Sequence, residues 1–203
     1  MTNFINKKSC FIAKSVKIGK NVTIYENNHI SGNTTIGDNT TILPNNFILN
    51  SIIGEDCSVH SSIIEGAQIG NGTSVGPYAR IRPKTTIGAL CKIGNFVEIK
   101  NSNVGDGSKI SHLAYVGDTD MGKDCNIGCG AIFVNYNGKS KARSCLGNHV
   151  FVGSNCNIIA PVNLADNSYI CAGTTVTENT KESDFVIGRA KQITKPGRAE
   201  RYW

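Results

Sequence analysis

The amino-acid sequence predicts an all-β chain wound as a single parallel β-helix of hexapeptide repeats. Three observations carry this: an aliphatic residue that returns every six positions, a glycine that often follows it, and a small residue four places after it. The aliphatic series runs Ile18, Ile24, Ile30, Ile36, Ile42, Ile48 and, after a five-residue step, Ile53, Val59 and Ile64. It continues unbroken from Ile69 through Val75, Ile81, Ile87 and Ile93 to Ile99. Val104, Ile110, Val116, Met121, Ile127 and Phe133 follow, and a last block runs from Leu146 to Val176. A period of six matches neither the 3.6 of a helix nor the simple alternation of a lone strand. It matches a short strand plus a turn, repeated so that each unit buries its apolar face against the next.

The second slot sets the size of the coils. Val22, Thr34, Thr73, Ala79, Thr85 and Val97, with Ser108, Ala114, Val150, Val162, Ser168 and Thr174, all stand four places after an aliphatic residue. Large side chains then fill the middle of a narrow prism and small ones fit its edges. Cys57, Cys91, Cys125 and Cys156 share this small slot, where a cysteine acts as a compact apolar residue.

Composition narrows the function classes. Charged residues make up 18% and aromatics 7% of the 203 residues, but the regular aliphatic supply argues against disorder. A formal charge of +6 suits an anionic ligand. The basic residues are scattered with few aromatics between them, so nucleic acid is not an expected partner. No run approaches the roughly 18 apolar residues of a membrane span, and the first residues lack the apolar stretch of a signal peptide. A cytoplasmic protein with eight thiols is the expectation. No Cys-x-x-Cys pair occurs, and His29, His60, His112 and His149 have no metal-ligand spacing, so no metal is expected.

Departures from the repeat mark a candidate site. Between Phe133 and Leu146 the spacing is too long for one hexapeptide. The polar segment of residues 135–144 must therefore leave the prism as a loop, carrying Lys139, Lys141 and Arg143. Arg82 and Lys100 stand where glycine follows the aliphatic residue in neighbouring repeats, eighteen residues apart. If three hexapeptides make one coil, these cations lie on one corner about 4.8 Å apart at the backbone. Stacked so closely they call for a phosphate or carboxylate, unless they simply splay into solvent. His112 follows one coil later, and an imidazole is a usual acceptor for the proton of an amine or hydroxyl.

Several segments occur together and in order: residues 75–83 (VGPYARIRP), 93–100 (IGNFVEIK), 107–118 (GSKISHLAYVGD) and 126–130 (NIGCG). Residues 135–138 (NYNG), 150–154 (VFVGS), 160–162 (APV) and 172–177 (AGTTVT) follow. From about residue 9 to the end the chain resembles the acetyltransferase domain of the bifunctional glucosamine-1-phosphate acetyltransferase / N-acetylglucosamine-1-phosphate uridylyltransferase family. The resemblance implies a left-handed helix of triangular coils, although parallel crossovers are otherwise right-handed. It implies acetyl-CoA as the acetyl donor, glucosamine 1-phosphate as acceptor, and no metal for the transfer itself. The product, N-acetylglucosamine 1-phosphate, would feed UDP-N-acetylglucosamine synthesis.

Carried over by position, the resemblance makes His112 the general base. Arg82, Lys100, Tyr115 and Asn126 would bind the amino sugar phosphate. Cys129, Asn135, Tyr136, Ser154, Ala172 and Arg189 would contact acetyl-CoA, and Lys141 would be an active-site lysine of the loop. Position 129 is usually alanine in the family, so Cys129 is a departure that could tune the pocket. Direct attack by the amine is expected, with Cys129 as an acyl carrier the rival chemistry. The resemblance also implies a homotrimer with active sites between subunits. No Gly-rich, Arg-containing nucleotide loop precedes the repeats, so uridylyl transfer is not expected of these residues. The expected organisation is a lead-in at 1–15, the β-helix at 16–178 with an extruded loop at 134–145, and a tail at 179–203. Two other readings remain open: an acyltransferase for another amino sugar or nucleotide sugar, and a non-catalytic β-helix scaffold.

Overall fold

The computed structural model describes residues 2–203 as a left-handed parallel β-helix with two short 3-10 helices, Lys7–Ser9 and Arg198–Tyr202. Each coil has three flat faces of short strands, and every pairing between strands of successive coils is parallel. The first face includes Lys92–Ile93, Lys109–Ile110 and Asn126–Ile127. The second includes Arg80–Ile81, Glu98–Ile99 and Tyr115–Val116. The third includes Thr85–Ile87, Asn103–Val104, Thr119–Met121 and Ser144–Leu146.

The six-residue period places like on like. Ile30 pairs with Ile48, Ile81 with Ile99 and Ile93 with Ile110, so the aliphatic slots form continuous columns inside the prism. These side chains are almost fully buried, from Ile24 at one end to Val176 at the other. The small slot is buried as well, and most of its polar members are satisfied locally, whereas Thr85 Oγ1 and Ser144 Oγ have no hydrogen-bond partner among the described residues. Ser102 Oγ donates to the Lys100 carbonyl (2.8 Å) and accepts from the Thr119 amide (3.0 Å), which ties consecutive coils together. Cys57, Cys91, Cys125 and Cys156 sit in this slot, and burial pushes each thiol above its ordinary pKa.

Glycine dominates at the corner between the third and first faces, where coils approach closely. A Cβ built on Gly37 would lie 2.5 Å from the Gly54 backbone, and one on Gly70 would lie 2.5 Å from that of Gly88. The corner between the second and third faces has no such restriction. Its column carries Ser31, Leu49, Glu65, Arg82 and Lys100 before Gly117. Arg82 and Lys100 thus occupy a corner that accepts large side chains, instead of replacing glycine in a glycine column.

Rungs also occur on both sides of residues 16–178. Asn3–Phe4 pairs with Thr23–Ile24, Phe11–Ile12 with His29–Ile30, and Phe185–Val186 with Tyr169–Ile170. The insertion leaves the second face after Ile132–Val134 and rejoins the third at Ser144–Leu146. Among the described residues no helix is long and apolar enough to cross a membrane.

Candidate active site

Two strands are longer than the rest and define the site. Lys92–Lys100 and Lys109–Gly117 each run from the first face around the corner into the second, paired in register along their length. That register sets Asn95 beside His112, Glu98 beside Tyr115 and Lys100 beside Gly117.

Arg82 and Lys100 are stacked as their spacing predicts, with the Arg82 amide donating to the Ile99 carbonyl (2.9 Å). The anions beside them come from the chain itself. Arg82 Nη1 lies 2.8 Å from Glu98 Oε1, and Lys100 Nζ lies 3.3 Å from Asp118 Oδ2. Asp118 is nearly buried and accepts further hydrogen bonds from the Asn101 amide (2.5 Å) and the Asn135 amide. Burial alone would raise its carboxyl pKa, but the Asn101 and Asn135 bonds and the Lys100 charge outweigh that and hold it below the ordinary range.

Asn135 opens the insertion, and its amide also lies 3.4 Å from Tyr115 Oη. Gly117 makes this meeting of side chains feasible, since a Cβ there would lie 2.4 Å from Tyr115 Oη and 2.8 Å from Asn135 Nδ2. The loop then turns back on itself through a bridge between Tyr136 and Lys141, and Tyr136 Oη donates to the Gly138 carbonyl (2.7 Å). The Lys100 ammonium beside Lys141 pushes the pKa of that exposed amine down, with a smaller contribution from Arg82. Arg82, Lys84, Lys100, Asp118, Lys141 and Arg143 line one cavity of about 630 Å³.

His112 stands on the corner between the first and second faces, exposed, with Nδ1 2.9 Å from Asn95 Oδ1. An amide oxygen can only accept, so Nδ1 carries the hydrogen, and in the neutral ring the lone pair lies on Nε2. Pairing of Ile110 with Ile127, Ile127 with Val152 and Val152 with Ile170 puts His112, Cys129, Ser154 and Ala172 at one position of successive coils. That column extends about 14 Å. Cys129, Ser154 and Ala172 are exposed along it, and Arg189 Nη1 donates to the Ala172 carbonyl (3.0 Å).

The chain therefore gathers Arg82, Lys100, Tyr115, Asn135 and Lys141 in one group and His112, Cys129, Ser154, Ala172 and Arg189 in a second. Tyr136 joins the first through the loop. Asn126 joins neither, because it faces outward from the first face between Lys109 and Phe151. Sequence reading missed Glu98, Asp118, Asn95 and Asn101. A signal existed for three of them, since Asn95 precedes His112 by one seventeen-residue coil and Asp118 follows Asn101 and Lys100 by one coil. The four histidines are dispersed, His29 lying in a stack between Phe11 and Phe47. Among the described residues no three His, Cys, Asp or Glu side chains are grouped to hold a metal ion.

Known proteins resemble the chain in two stretches and along most of its length. The bacterial transferase hexapeptide (six repeats) description matches residues 15–50, and the GMPPB C-terminal domain matches residues 63–135. The bifunctional protein GlmU of Clostridium beijerinckii is 51% identical over 145 residues, covering 71% of this chain and 32% of the relative. The bifunctional protein GlmU of Clostridium botulinum is 49% identical over 150 residues, covering 74% and 33%. The chain thus spans about a third of the length of the curated relatives it matches. Among solved structures, LpxA of Bacteroides fragilis, a UDP-N-acetylglucosamine acyltransferase, superposes with a TM-score of 0.66 at 18% identity, over 86% of this chain and 68% of that one. The Arabidopsis UDP-N-acetylglucosamine acyltransferase gives 0.55 at 16% identity, over 88% and 69%. At these identities the likeness is one of fold.

Proposed function

We propose that this chain, a member of the hexapeptide-repeat family that includes the bifunctional GlmU proteins, transfers the acetyl group of acetyl-CoA to the 2-amine of glucosamine 1-phosphate. The observation that carries the reading is the cationic cavity of Arg82, Lys100 and Lys141, with His112 one coil beyond Lys100 and its Nδ1 bonded to Asn95. The sugar phosphate would sit against Arg82, Lys100 and Lys141, competing with Glu98 and Asp118 for the first two. Tyr115 and Asn126 would contact the sugar.

An ammonium group cannot attack a thioester until it loses a proton, and Nε2 of His112 would take it. The amine nitrogen then adds to the acetyl carbonyl and gives its second proton to solvent, the carbon–sulfur bond breaks, and the His112 imidazolium returns its proton to the departing sulfur, so that CoA leaves as a thiol. A neutral primary amine is a competent nucleophile, so no acyl-enzyme is required and Cys129 acts as a small wall residue. The column of Cys129, Ser154 and Ala172, with Arg189 at its end, suits the long thioester arm of acetyl-CoA. Asn135 and Tyr136 would meet the donor from the loop.

Asn126 lies on a different face from Arg82 and Lys100, so one chain does not complete this site. A cyclic homotrimer in which the first face of one copy meets the second face of the next would bring Asn126 to the sugar. Eight unpaired cysteines and an acetyl-CoA donor fit a reducing, cytoplasmic setting. Neither nucleic acid nor a membrane is a partner in this reading, and no residue is assigned to a metal.

The test is thiol release from acetyl-CoA with glucosamine 1-phosphate, glucosamine 6-phosphate, free glucosamine, or no acceptor. Release with the 1-phosphate alone is expected. Preference for another amino sugar would move the chain to a sister specificity, and no release with any acceptor would leave only a binding or scaffold role.

A further inference from the structure

Lys141 and Lys100 line the same cavity although two ammonium groups repel, and an exposed lysine left to itself would swing away into solvent. Something in the loop must hold it there. The insertion is anchored at both ends on one short stretch of the third face. At its entry Asn135 donates to the Asp118 carboxylate. At its exit Arg143 grips Asp120 with both arms of its fork, Nε to Oδ2 at 2.5 Å and Nη2 to Oδ1 at 2.6 Å. Its remaining nitrogen donates to the Asn101 carbonyl at 2.8 Å, so the guanidinium spans two coils. Between the anchors the loop is internally braced, with Ala142 N donating to the Asn135 carbonyl (2.9 Å) and the Asn137 side chain accepting from the amides of Lys139 and Ser140 (2.9 Å each).

We infer that Arg143, through its pair with Asp120, is a positioning residue for the proposed reaction. It fixes the exit of the loop so that the Lys141 ammonium is held over the phosphate cavity against the repulsion of Lys100. Arg143 need not touch the sugar phosphate, because its whole fork is occupied by Asp120, Asn101 and Thr119. This inference rests on the proposed acetyl transfer only for its kinetic consequence. The clamp itself is a statement about the loop.

Two measurements on the full chain test it separately. In the first, trypsin cleavage after Lys139 and Lys141 is followed by mass spectrometry in the wild type, R143A, D120N and R143K. Faster cleavage in R143A and D120N is expected, with R143K between them and the wild type because an ammonium keeps the charge but not the fork, and equal rates in all four would overturn the clamp. A thermal melt on the same samples distinguishes a loosened loop from an unfolded solenoid, and D120N serves if R143A proves unstable. In the second, R143A is expected to raise the KM for glucosamine 1-phosphate about 10-fold, the cost of a small misplacement of a binding group. The KM for acetyl-CoA should change little. R143A should add almost nothing to K141A, since both remove the same ammonium from the cavity. Full additivity would overturn the positioning role. A wild-type chain that cleaves as expected but transfers no acetyl group would sink the proposed function and leave the clamp standing.

Discussion

Asn95 and His112, seventeen residues apart in the chain, are paired across adjacent coils with Nδ1 of the imidazole 2.9 Å from the amide oxygen. The contact selects the tautomer whose Nε2 is free to accept a proton. His112→Ala should lower kcat about 100-fold or more, the usual worth of a positioned base, while acetyl-CoA binding by calorimetry stays unchanged. Asn95→Ala should give a smaller loss in kcat with unchanged KM values, because the base remains but its orientation does not. Equal activity of both variants and the wild type would remove His112 from the chemistry.

Asp118 makes stability depend on pH in a defined direction. Its folded-state pKa is depressed below the ordinary carboxylate value, so the unfolded chain binds the proton more readily. The contribution is fully present above about pH 4, the unfolded value, and is lost as pH falls through the folded one. Urea unfolding at neutral and acid pH should show Asp118→Asn narrowing the gap between the two. An unchanged gap would mean that Asp118 titrates alike in both states.

Lys141 and Lys100 bring two ammonium groups to one cavity. The Lys141 amine loses a proton at lower pH than an ordinary lysine because the Lys100 ammonium stands beside it. Amine-acylating reagents should therefore modify Lys141 ahead of Lys139 near neutral pH. Lys100→Ala should return it to the ordinary pattern, and so should inorganic phosphate in the cavity. Indifference of Lys141 reactivity to Lys100 would place the two amines too far apart to interact.

The cysteines should divide into two classes under alkylation. Cys57, Cys91, Cys125 and Cys156 are buried with thiols pushed up by burial, whereas Cys129 and Cys145 are exposed. Labelling of the native protein followed by mass spectrometry should find the latter pair first. Modification of Cys129 should also slow acetyl transfer, since it stands next to His112 in the column; unimpaired turnover after full labelling would remove it from the donor groove.

Gly117 carries a steric prediction. A methyl group there would overlap Tyr115 Oη and Asn135 Nδ2, the two groups that close the loop entry over the second face. Gly117→Ala should cut kcat/KM for the amino sugar about 10-fold, by displacement alone. Normal kinetics would show that the pair has room to move.

The sequence by itself determined the solenoid, because a six-residue period puts identical side chains in contact once the chain coils. Ile81 on Ile99 and Cys91 in the small slot were legible for that reason. It also determined that Arg82 and Lys100 stack, since eighteen residues make one coil there. Tertiary structure decided what those cations meet. Glu98 reaches Arg82 from two places before Lys100, the residue stacked on Arg82, and Asp118 reaches Lys100 from one place after its partner Gly117, offsets set by side-chain length and corner geometry. The loop shows the same division. Its existence follows from the broken period, but Arg143, counted in the sequence among the three cations of the insertion, spends its charge on Asp120 twenty-three residues away. A one-dimensional repeat fixes neighbours at the coil spacing. It says nothing of contacts made by chain that leaves the repeat, and those contacts shape the cavity.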